Sequence, residues 1–233
     1  MCGRFNVTSD PLSQLLMELV GMPHPGPDNF NAAPTEMITV LRLSATGESE
    51  LVSLRWWLTP YWTRAPAAKY SMFNARSETA HKSPAFREPF KKRHCVVPVS
   101  GFYEWTRQRD QKLPYYITAQ EAPGLLLAGL WDRWTNRETG EVIESFAVLT
   151  AAASRSMEFV HNRQPVMLSL AQAHNWLDSG NPDHSELLAP HIPLILVAIP
   201  VSTHVNNARH KDARCVEPIG TPVVLPADTG VAS

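Results

Sequence analysis

The stretch "MITVLRLSATGESELVSLRWWL" (residues 37–58) contains two apolar runs separated by the turn residues "ATGE". The runs at 37–43 and 51–58 have the length of strands and are rich in β-branched and aromatic residues. Chain neighbours joined by so short a turn pair as antiparallel strands. Further runs of this kind lie at 95–98, 114–118, 125–131, 145–151 and 193–200. The sequence therefore predicts an α+β fold with an antiparallel, barrel-like β-sheet core and several peripheral helices.

Two segments carry helix signals instead. In "SDPLSQLLMELVG" (9–21), Asp10 is the predicted N-cap, Pro11 the first helical residue and Gly21 the stop. Its apolar face is predicted to be core and consists of Leu12, Leu15, Leu16 and Leu19. The second segment, "SLAQAHNWL", opens with Ser169 and Gln172 at the spacing of a capping box.

Length and composition fit an ordinary globular protein. The chain has 233 residues, of which 44% are hydrophobic and 18% charged. We expect one domain over residues 1–222 and a flexible tail over 223–233. The run Leu194–Ile199 is far too short to cross a bilayer, and the first residues lack a signal-peptide pattern. We therefore expect a cytoplasmic monomer that does not contact membranes.

The cysteines and histidines argue against a metal site. The three cysteines, Cys2, Cys95 and Cys215, form no CxxC pair, and the nine histidines include no HExxH motif. We expect reduced thiols, which fit a cytosolic protein, and neither a bound metal nor another cofactor.

Positive charge is concentrated in one segment. From Arg55 to Arg93 there are nine basic and two acidic residues, although the whole chain has a formal net charge of -1. The segment opens with "RWWLTPYW", in which aromatic residues lie among the cations. Single-stranded nucleic acid is bound in this way, because bases stack on rings while cations contact phosphates. A solvated basic face, with the tryptophans in the core, is the alternative.

The first residues, "MCGRF", place Cys2 directly after Met1. Removal of Met1 would expose an α-amine beside the thiol of Cys2. Such an amine has a pKa of about 7.7–8.0, so part of it is neutral and nucleophilic at cellular pH. An aldehyde would form an imine with this amine, and the thiol would then close a thiazolidine ring.

Other side chains could handle protons or bind anions. Glu104 lies between Tyr103 and Trp105, and an aromatic setting could raise the pKa of its carboxyl group. His161 could exchange a proton near neutral pH, and Arg163 could bind a phosphate or carboxylate. A surface glutamate and a structural histidine are the alternatives.

In "FNARSET" (73–79), Asn74, Arg76 and Glu78 occupy alternating positions. In an extended backbone these three side chains would share one face. The alternative is a buried polar network.

Several motifs in register along the chain together resemble one family. They are "MCGRF" (1–5), "NAAPT" (31–35), "WWLTPYW" (56–62), "FNARSET" (73–79), "CVVPVSGFYEW" (95–105), "AGLW" (128–131), "HNRQPVML" (161–168) and "PVSTHVNN" (200–207). Their order and spacing are similar to those of the SRAP family, the SOS-response-associated peptidases or abasic-site-processing proteins. The likeness spans residues 2–218.

The resemblance implies a protein that recognises abasic sites in single-stranded DNA and links itself covalently to them through Cys2, once Met1 is removed. It implies that Asn74 orients Cys2 and the opened sugar, and that Glu104 moves protons for imine formation and cyclisation. His161 would act as acid or base at the sugar oxygen.

The resemblance also implies that Arg4, Arg76 and Arg163 bind the flanking phosphates. Asn31, Pro34 and the Trp57 region would shape the DNA channel. The same site is implied in Met1 removal and in release of the cross-link, which are peptidase-, hydrolase- and lyase-type reactions. The cross-link would shield the lesion in the DNA-damage (SOS) response, with the protein on the nucleoid when it is bound to DNA. A partner at replication forks cannot be identified from the sequence.

Two positions depart from the family pattern. Trp57 stands where a glycine is common, and Gln164 stands where many members carry Met or Arg. Both lie beside functional positions and bear on the details of DNA contact.

Three other functions remain open. N-terminal-nucleophile glutamine amidotransferases also begin "MCG", but they usually continue with an aliphatic residue and need no cluster of basic residues and tryptophans. A noncovalent reader of modified bases would use the same groove without Cys2 chemistry. A peptidase that acts on other proteins would need a substrate cleft that the sequence does not indicate.

Overall fold

The computed structural model describes residues 2–66, 71–108, 111–178, 180 and 184–228. Strands β1–β14 in this part of the chain are Phe5–Val7, Asn29–Ala32, Met37–Leu43, Ser49–Trp56, Asn74–Arg76, His94–Val99, Gly101–Gln108, Gln111–Ala119, Leu125–Thr135, Val142–Ala152, Arg163–Pro165, Met167–Leu168, Leu196–Pro200 and Val223–Leu225. Helices α1–α5 are Ser9–Val20, Ser77–Ala80, Arg87–Lys92, Leu170–Leu177 and Ser185–Leu188, and two 3₁₀ helices span Thr203–Asn206 and Ala213–Val216.

Five strands close into a barrel. Around the ring, β10 pairs with β4, β4 with β3, β3 with β6, β6 with β9, and β9 again with β10. A ring with an odd number of strands cannot alternate direction throughout, so at least one neighbouring pair must be parallel. That pair is β4–β10, and the short strand β5 also joins β10 in parallel. The predicted α+β class and barrel-like core are confirmed, with these two parallel pairings added to an otherwise antiparallel sheet.

A second sheet is antiparallel throughout, with the order β14-β13-β8-β7-β1-β2. The β1 strand begins three residues after Cys2 and lies between β2 and β7. The N-terminal segment is therefore held by strand pairing on both sides rather than left at the surface.

The hairpin predicted from residues 37–58 is confirmed. β3 spans the predicted 37–43, and it pairs with β4 in a register that places Val40 opposite Val52. Gly47 in the turn has a φ of 85°, which a glycine adopts without strain. β4 ends at Trp56 rather than at residue 58.

The first helix is confirmed with a different start. α1 begins at Ser9 after Thr8 as N-cap, so Asp10 lies within the first turn rather than at the predicted N-cap. The cause is that the extended backbone ends at Thr8, so that Asp10 is already helical. The four leucines of the predicted face are buried, and Gly21 ends the helix in the left-handed conformation.

The second helical prediction is confirmed in detail. Ser169 is the N-cap of α4, and its hydroxyl accepts from the backbone N–H of Gln172. The side-chain oxygen of Gln172 accepts in turn from the backbone N–H of Ser169. None of the described helices is long and apolar enough to span a membrane.

The C-terminal region differs from the expected flexible tail at 223–233. Val223–Leu225 forms the edge strand β14, because its backbone pairs with β13. Asp228 forms a further bridge with Ile192. Residues 229–233 of the expected tail lie outside the described residues.

The two sheets meet through an aromatic stack near the N terminus. Phe5 of β1 lies parallel to Trp56 of β4, with ring centroids 3.9 Å apart, and Phe146 of β10 stacks on Trp56 at 6.4 Å. The Trp56 indole also donates to the carbonyl of Phe73 at 2.9 Å. Trp56 is fully buried, whereas Trp57, the first residue after β4, is half-buried.

Replacement of Trp56 by Ala should lower the free energy of unfolding by about 3–5 kcal/mol, because it opens a cavity between the two sheets. Trp57→Ala is the matched control and should cost about 1 kcal/mol, since that ring is only half-buried. Urea denaturation of the two variants measures the difference. Equal losses would contradict a central role for the Phe5–Trp56 stack.

Candidate active site

Cys2 lies three residues before the start of β1, and its side chain is fully buried. Burial raises the pKa of the Cys2 thiol well above its ordinary value, and the nearby carboxylate of Glu104 raises it further. The backbone N–H of Arg4 partly opposes these effects. The thiol is therefore protonated at neutral pH, and its attack on a carbon atom requires a base.

Asn74 contacts Cys2 directly. Its Nδ2 donates a hydrogen bond to the carbonyl oxygen of Cys2 at 2.7 Å. Asn74 is the first residue of β5, where pairing with Val148 of β10 fixes its position. Its Oδ1 is buried and has no hydrogen-bond partner among the described residues, so this atom is available to an amine or a sugar hydroxyl.

Glu104 supplies a buried carboxyl group beside the thiol. It lies in β7, and its side chain is 3% exposed. Burial raises the pKa of Glu104, while the charge of the nearby His161 lowers it in part. The burial inferred from the aromatic neighbours is confirmed. A carboxyl group in this setting keeps its proton to higher pH than an exposed glutamate and can act as a general acid.

His161 lies just before β11, and the backbone fixes its ring. The backbone N–H of Arg163 donates to His161 Nδ1 at 2.9 Å. In the neutral ring the proton must then be on Nε2, which makes Nε2 the donor atom. The structure thus brings together four predicted residues, through the Asn74–Cys2 hydrogen bond and the electrostatic coupling of Glu104 with both Cys2 and His161.

The three arginines expected at phosphates differ in their surroundings. Arg76 is exposed at the end of β5. Arg163 forms a bidentate ion pair with Glu78 and also donates to the carbonyl of Thr150. Arg4 is partly buried, and burial lowers the pKa of its guanidinium. Arg76 is therefore the most exposed of the three arginines, with the carboxylate of Glu78 near enough to interact with its charge.

Comparison with known proteins gives the family. The profile of the SOS response associated peptidase (SRAP) family matches residues 1–208. The chain belongs to the SRAP family. The abasic site processing protein YoqW of Bacillus subtilis is 31% identical over 229 residues, which cover 93% of this chain and 99% of the relative. The abasic site processing protein HMCES of Xenopus tropicalis is 34% identical over 197 residues, which cover 75% of this chain and 59% of the relative.

Solved structures agree on the fold. A Bordetella bronchiseptica protein superposes with a TM-score of 0.70 at 27% identity, covering 86% of this chain and all of its own. A Bacteroides thetaiotaomicron protein superposes with a TM-score of 0.79 at 22% identity, over 94% of this chain and all of its own. At 22% identity, the likeness to the Bacteroides thetaiotaomicron protein is evidence for the fold and not for the function.

Asn31 of this SRAP protein is internal, so it would shape a DNA channel through the residues that it holds rather than by facing DNA. Its side chain is fully buried, and its Oδ1 accepts from Arg4 at 2.8 Å. Its Nδ2 contacts the carbonyl oxygens of Val205, Asn207 and His210 at 2.9–3.1 Å. Because all its polar atoms are used within the protein, Asn31 joins β2 to the C-terminal segment and positions Arg4.

Pro34 and Trp57, the other two residues expected to shape a DNA channel, are both half-buried. Pro34 is half-buried in the loop after β2, and the next residue, Thr35, has a φ of 81°, which is strained for a β-branched side chain. The Thr35 N–H donates to the carbonyl of Trp56 at 2.9 Å, which holds this conformation. Trp57 is half-buried and packs against Phe73, with centroids 5.7 Å apart. Their contact with DNA stays a prediction.

Gln164, the other departure from the SRAP pattern, is internal. It is 1% exposed, its Oε1 accepts from the N–H of Ser154, and its Nε2 donates to the carbonyl of His191, both at 2.8 Å. This residue therefore fastens two loops and is not placed to contact DNA.

The alternating pattern read from "FNARSET" holds only in part. Asn74 and Arg76 belong to β5, but α2 begins at Ser77, so Glu78 lies on a helix. Glu78 turns toward Arg163 instead of sharing a strand face with Arg76. Glu78 is exposed, so the buried polar network given as the alternative is not present at this residue.

One interaction at the site is not predicted by the sequence analysis. The indole N–H of Trp105 donates to Asn206 Oδ1 at 2.7 Å, and the Arg4 guanidinium lies 5.7 Å from the Trp105 ring centroid. The 3₁₀ helix Thr203–Asn206 therefore fixes an aromatic ring beside Arg4. In the sequence, the two adjacent asparagines of "PVSTHVNN" are the feature that indicates polar contacts here, but only the fold shows that Asn206 contacts Trp105.

Replacement of Glu104 by Gln should move alkylation of Cys2 to lower pH. The Glu104 carboxylate raises the pKa of the thiol, so a neutral amide of the same shape lets the thiolate form at a lower pH. Iodoacetamide labelling across a pH series, read by mass spectrometry on the Cys2 peptide, measures this shift. The Cys95 peptide is the internal control and should not shift. An unchanged or higher midpoint for Cys2 would show that the two groups are not coupled.

Proposed function

We propose that this SRAP protein processes abasic sites in single-stranded DNA by covalent capture. The α-amine and thiol of Cys2 react with the ring-opened C1′ aldehyde of the lesion and end as a thiazolidine. The observation that carries the proposal is the Asn74–Cys2 hydrogen bond, which holds Cys2 in a buried site next to Glu104 and His161. The names of the curated relatives supply the lesion.

The aminothiol exists only when Cys2 is the first residue. The amine must be released from its amide bond with Met1, which lies outside the described residues. An internal cysteine would give only a reversible hemithioacetal with an aldehyde. Removal of Met1 is therefore the first step of the proposed reaction.

Ring opening is assigned to His161. An abasic sugar exists mainly as a closed hemiacetal, and His161 Nε2–H donates a proton to O4′ as the C1′–O4′ bond breaks. Solvent takes the proton of the C1′ hydroxyl and returns one to His161 Nε2, and the hydroxyl oxygen becomes the aldehyde oxygen. The hydrogen bond to Nδ1 supports this role, because it leaves the proton of the neutral ring on Nε2.

Imine formation and ring closure are assigned to Glu104. The amine adds to C1′, Glu104 protonates the resulting hydroxyl group, and that group leaves as water with formation of a C=N⁺ bond. The Cys2 sulfur then adds to C1′, and its proton passes to the Glu104 carboxylate. Glu104 begins and ends protonated, which fits a carboxyl group whose pKa is raised by burial.

Asn74 serves as the positioning residue of this sequence. Its Nδ2 holds the Cys2 carbonyl, and its Oδ1 can accept from the amine or a sugar hydroxyl. The flanking phosphates are assigned first to the exposed Arg76. Arg4 and Arg163 would contact further phosphates while keeping their hydrogen bonds to Asn31 and Glu78. Trp105, fixed by Asn206, provides a ring on which an adjacent base can stack.

Release of the cross-link would run through the same steps in reverse, with water returning to C1′. The peptidase activity in the family name would use the same residues on the amide bond before Cys2. In the cell these reactions would shield abasic sites in the DNA-damage response, on single-stranded DNA at the nucleoid.

Covalent capture is tested by mixing the purified protein with single-stranded DNA that carries one abasic site, followed by heating in SDS and electrophoresis. We expect a shifted band with the lesion and none with intact DNA. Cys2→Ala should abolish the stable band, because it keeps the amine and removes the ring-closing thiol. A stable band from Cys2→Ala, or from a variant that retains Met1, would overturn the aminothiol mechanism.

Glu104→Gln should slow capture by about 10²-fold, because a general acid is removed. The rate for the unmodified protein should fall on the alkaline side as pH rises through the raised pKa of Glu104, and Glu104→Gln should abolish this decline. Single-turnover rates across a pH series measure both effects. An alkaline decline that persists in Glu104→Gln would assign the proton transfer to another group.

A further inference from the structure

The basic segment of the sequence is not accounted for by the site around Cys2. Of its nine basic residues, Arg76 lies in β5 beside Asn74. Lys69 lies outside the described residues. Four others are exposed on or next to helices α2 and α3, which follow β5 in the chain, and these are Lys82, Arg87, Lys91 and Lys92. Most of the positive charge therefore lies elsewhere on the surface.

A cavity of about 580 Å³ is lined in part by the beginning of the basic segment, residues 61–64. Its walls are the loop at 61–64 and the β9–β10 turn at 135–138. Two large aromatic side chains line it while remaining half-exposed, with Tyr61 at 49% and Trp62 at 52%. Exposed rings of this size on a concave surface are typical of a binding site.

The loop that carries these rings is fixed by hydrogen bonds. The Trp62 indole donates to the carbonyl of Pro84 at 3.1 Å, and the Tyr61 N–H donates to the buried carboxylate of Asp132 at 3.0 Å. The Trp134 indole donates to the carbonyl of Thr63 at 2.8 Å. The aromatic rings are therefore held outward before any ligand binds, which reduces the entropy cost of binding.

The charges that line the cavity favour an anion. Arg64 and Arg137 stand on opposite walls and are exposed, and Glu138 is the acidic residue among the described lining residues. The Arg93 guanidinium lies 5.9 Å from the Tyr61 ring centroid, but its charge is offset by an ion pair with Asp132 at 3.1 Å. The positive charge of the cavity therefore comes from Arg64 and Arg137. Aromatic rings with guanidinium groups on two sides match a nucleotide, whose base stacks and whose phosphate pairs with arginine.

The cavity is separate from the Cys2 site. Asn74 pairs with Val148 of β10, whereas the turn at 135–138 lies beyond Val142, at the other end of that strand. At about 3.3 Å per strand residue, this separation is roughly 20 Å or more, which several nucleotides of a single strand can span.

We propose that this cavity is a second binding site for single-stranded DNA. It takes one nucleotide of the strand several positions from the lesion, with the base on Tyr61 or Trp62 and the phosphate between Arg64 and Arg137. The inference rests on the proposed function in one respect, namely that the same strand occupies both sites.

The test is fluorescence anisotropy with a lesion-free oligothymidylate of roughly twelve nucleotides, a length that reaches both sites. Arg64→Ala/Arg137→Ala should weaken binding about ten-fold and reduce the salt slope by about 0.7 for each phosphate that the arginines neutralise. Trp62→Ala should weaken binding about five-fold or more, because the base has one ring fewer on which to stack. Arg133→Ala is the matched control, because it removes an exposed arginine from the same hairpin outside the cavity, and it should change affinity less than about two-fold.

The proposal is overturned if the double variant binds like Arg133→Ala, or if the unmodified protein does not bind the longer oligonucleotide. A second measurement separates it from the proposed function. Capture of an abasic oligonucleotide of roughly four nucleotides, too short to reach the cavity, should proceed at the same rate in the double variant. Failure of the unmodified protein to capture any abasic DNA would contradict the proposed function. The anisotropy comparison would still decide whether the cavity binds DNA.

Discussion

The stack of Phe5 on Trp56 is the contact on which the position of Cys2 depends. Phe5 belongs to the antiparallel sheet and Trp56 to the barrel, so their rings, 3.9 Å apart, join the two sheets three residues from Cys2. A chain terminus is ordinarily loose, because nothing opposes its conformational entropy. Here strand pairing on both sides of β1 and the buried stack oppose it, and the first residues become part of the core.

Burial of Cys2 also sets the electrostatics of the site. Low polarity raises the pKa of both the Cys2 thiol and the Glu104 carboxyl group, so each holds its proton to higher pH than it would in water. A site of this kind suits a reaction in which one acid first releases water and then recovers a proton from the thiol. An exposed glutamate with an ordinary pKa would instead be ionised at neutral pH and could not begin as the acid.

Sequence reasoning succeeded where structure is decided locally. The leucine face of α1, the Ser169–Gln172 capping box and the β3–β4 hairpin depend on periodicity and turn residues within a short window. It failed where a partner lies far along the chain. The two-residue β12 and the three-residue β5 exist because of their neighbours β9 and β10, and Asn31 is internal because carbonyl groups some 180 positions later surround its amide. At the site, residue types identified the chemistry, but only the fold shows which arginine is exposed.

The central claim is that amine and thiol of one residue both bond to C1′, and peptide mass spectrometry of the captured protein tests it most directly. After nuclease digestion, the N-terminal peptide should begin at Cys2 and carry the sugar remnant with loss of one water, and its thiol should resist alkylation without prior reduction. A remnant attached to a Cys2 whose thiol still alkylates would indicate a simple imine, and a remnant on any other residue would contradict the aminothiol mechanism.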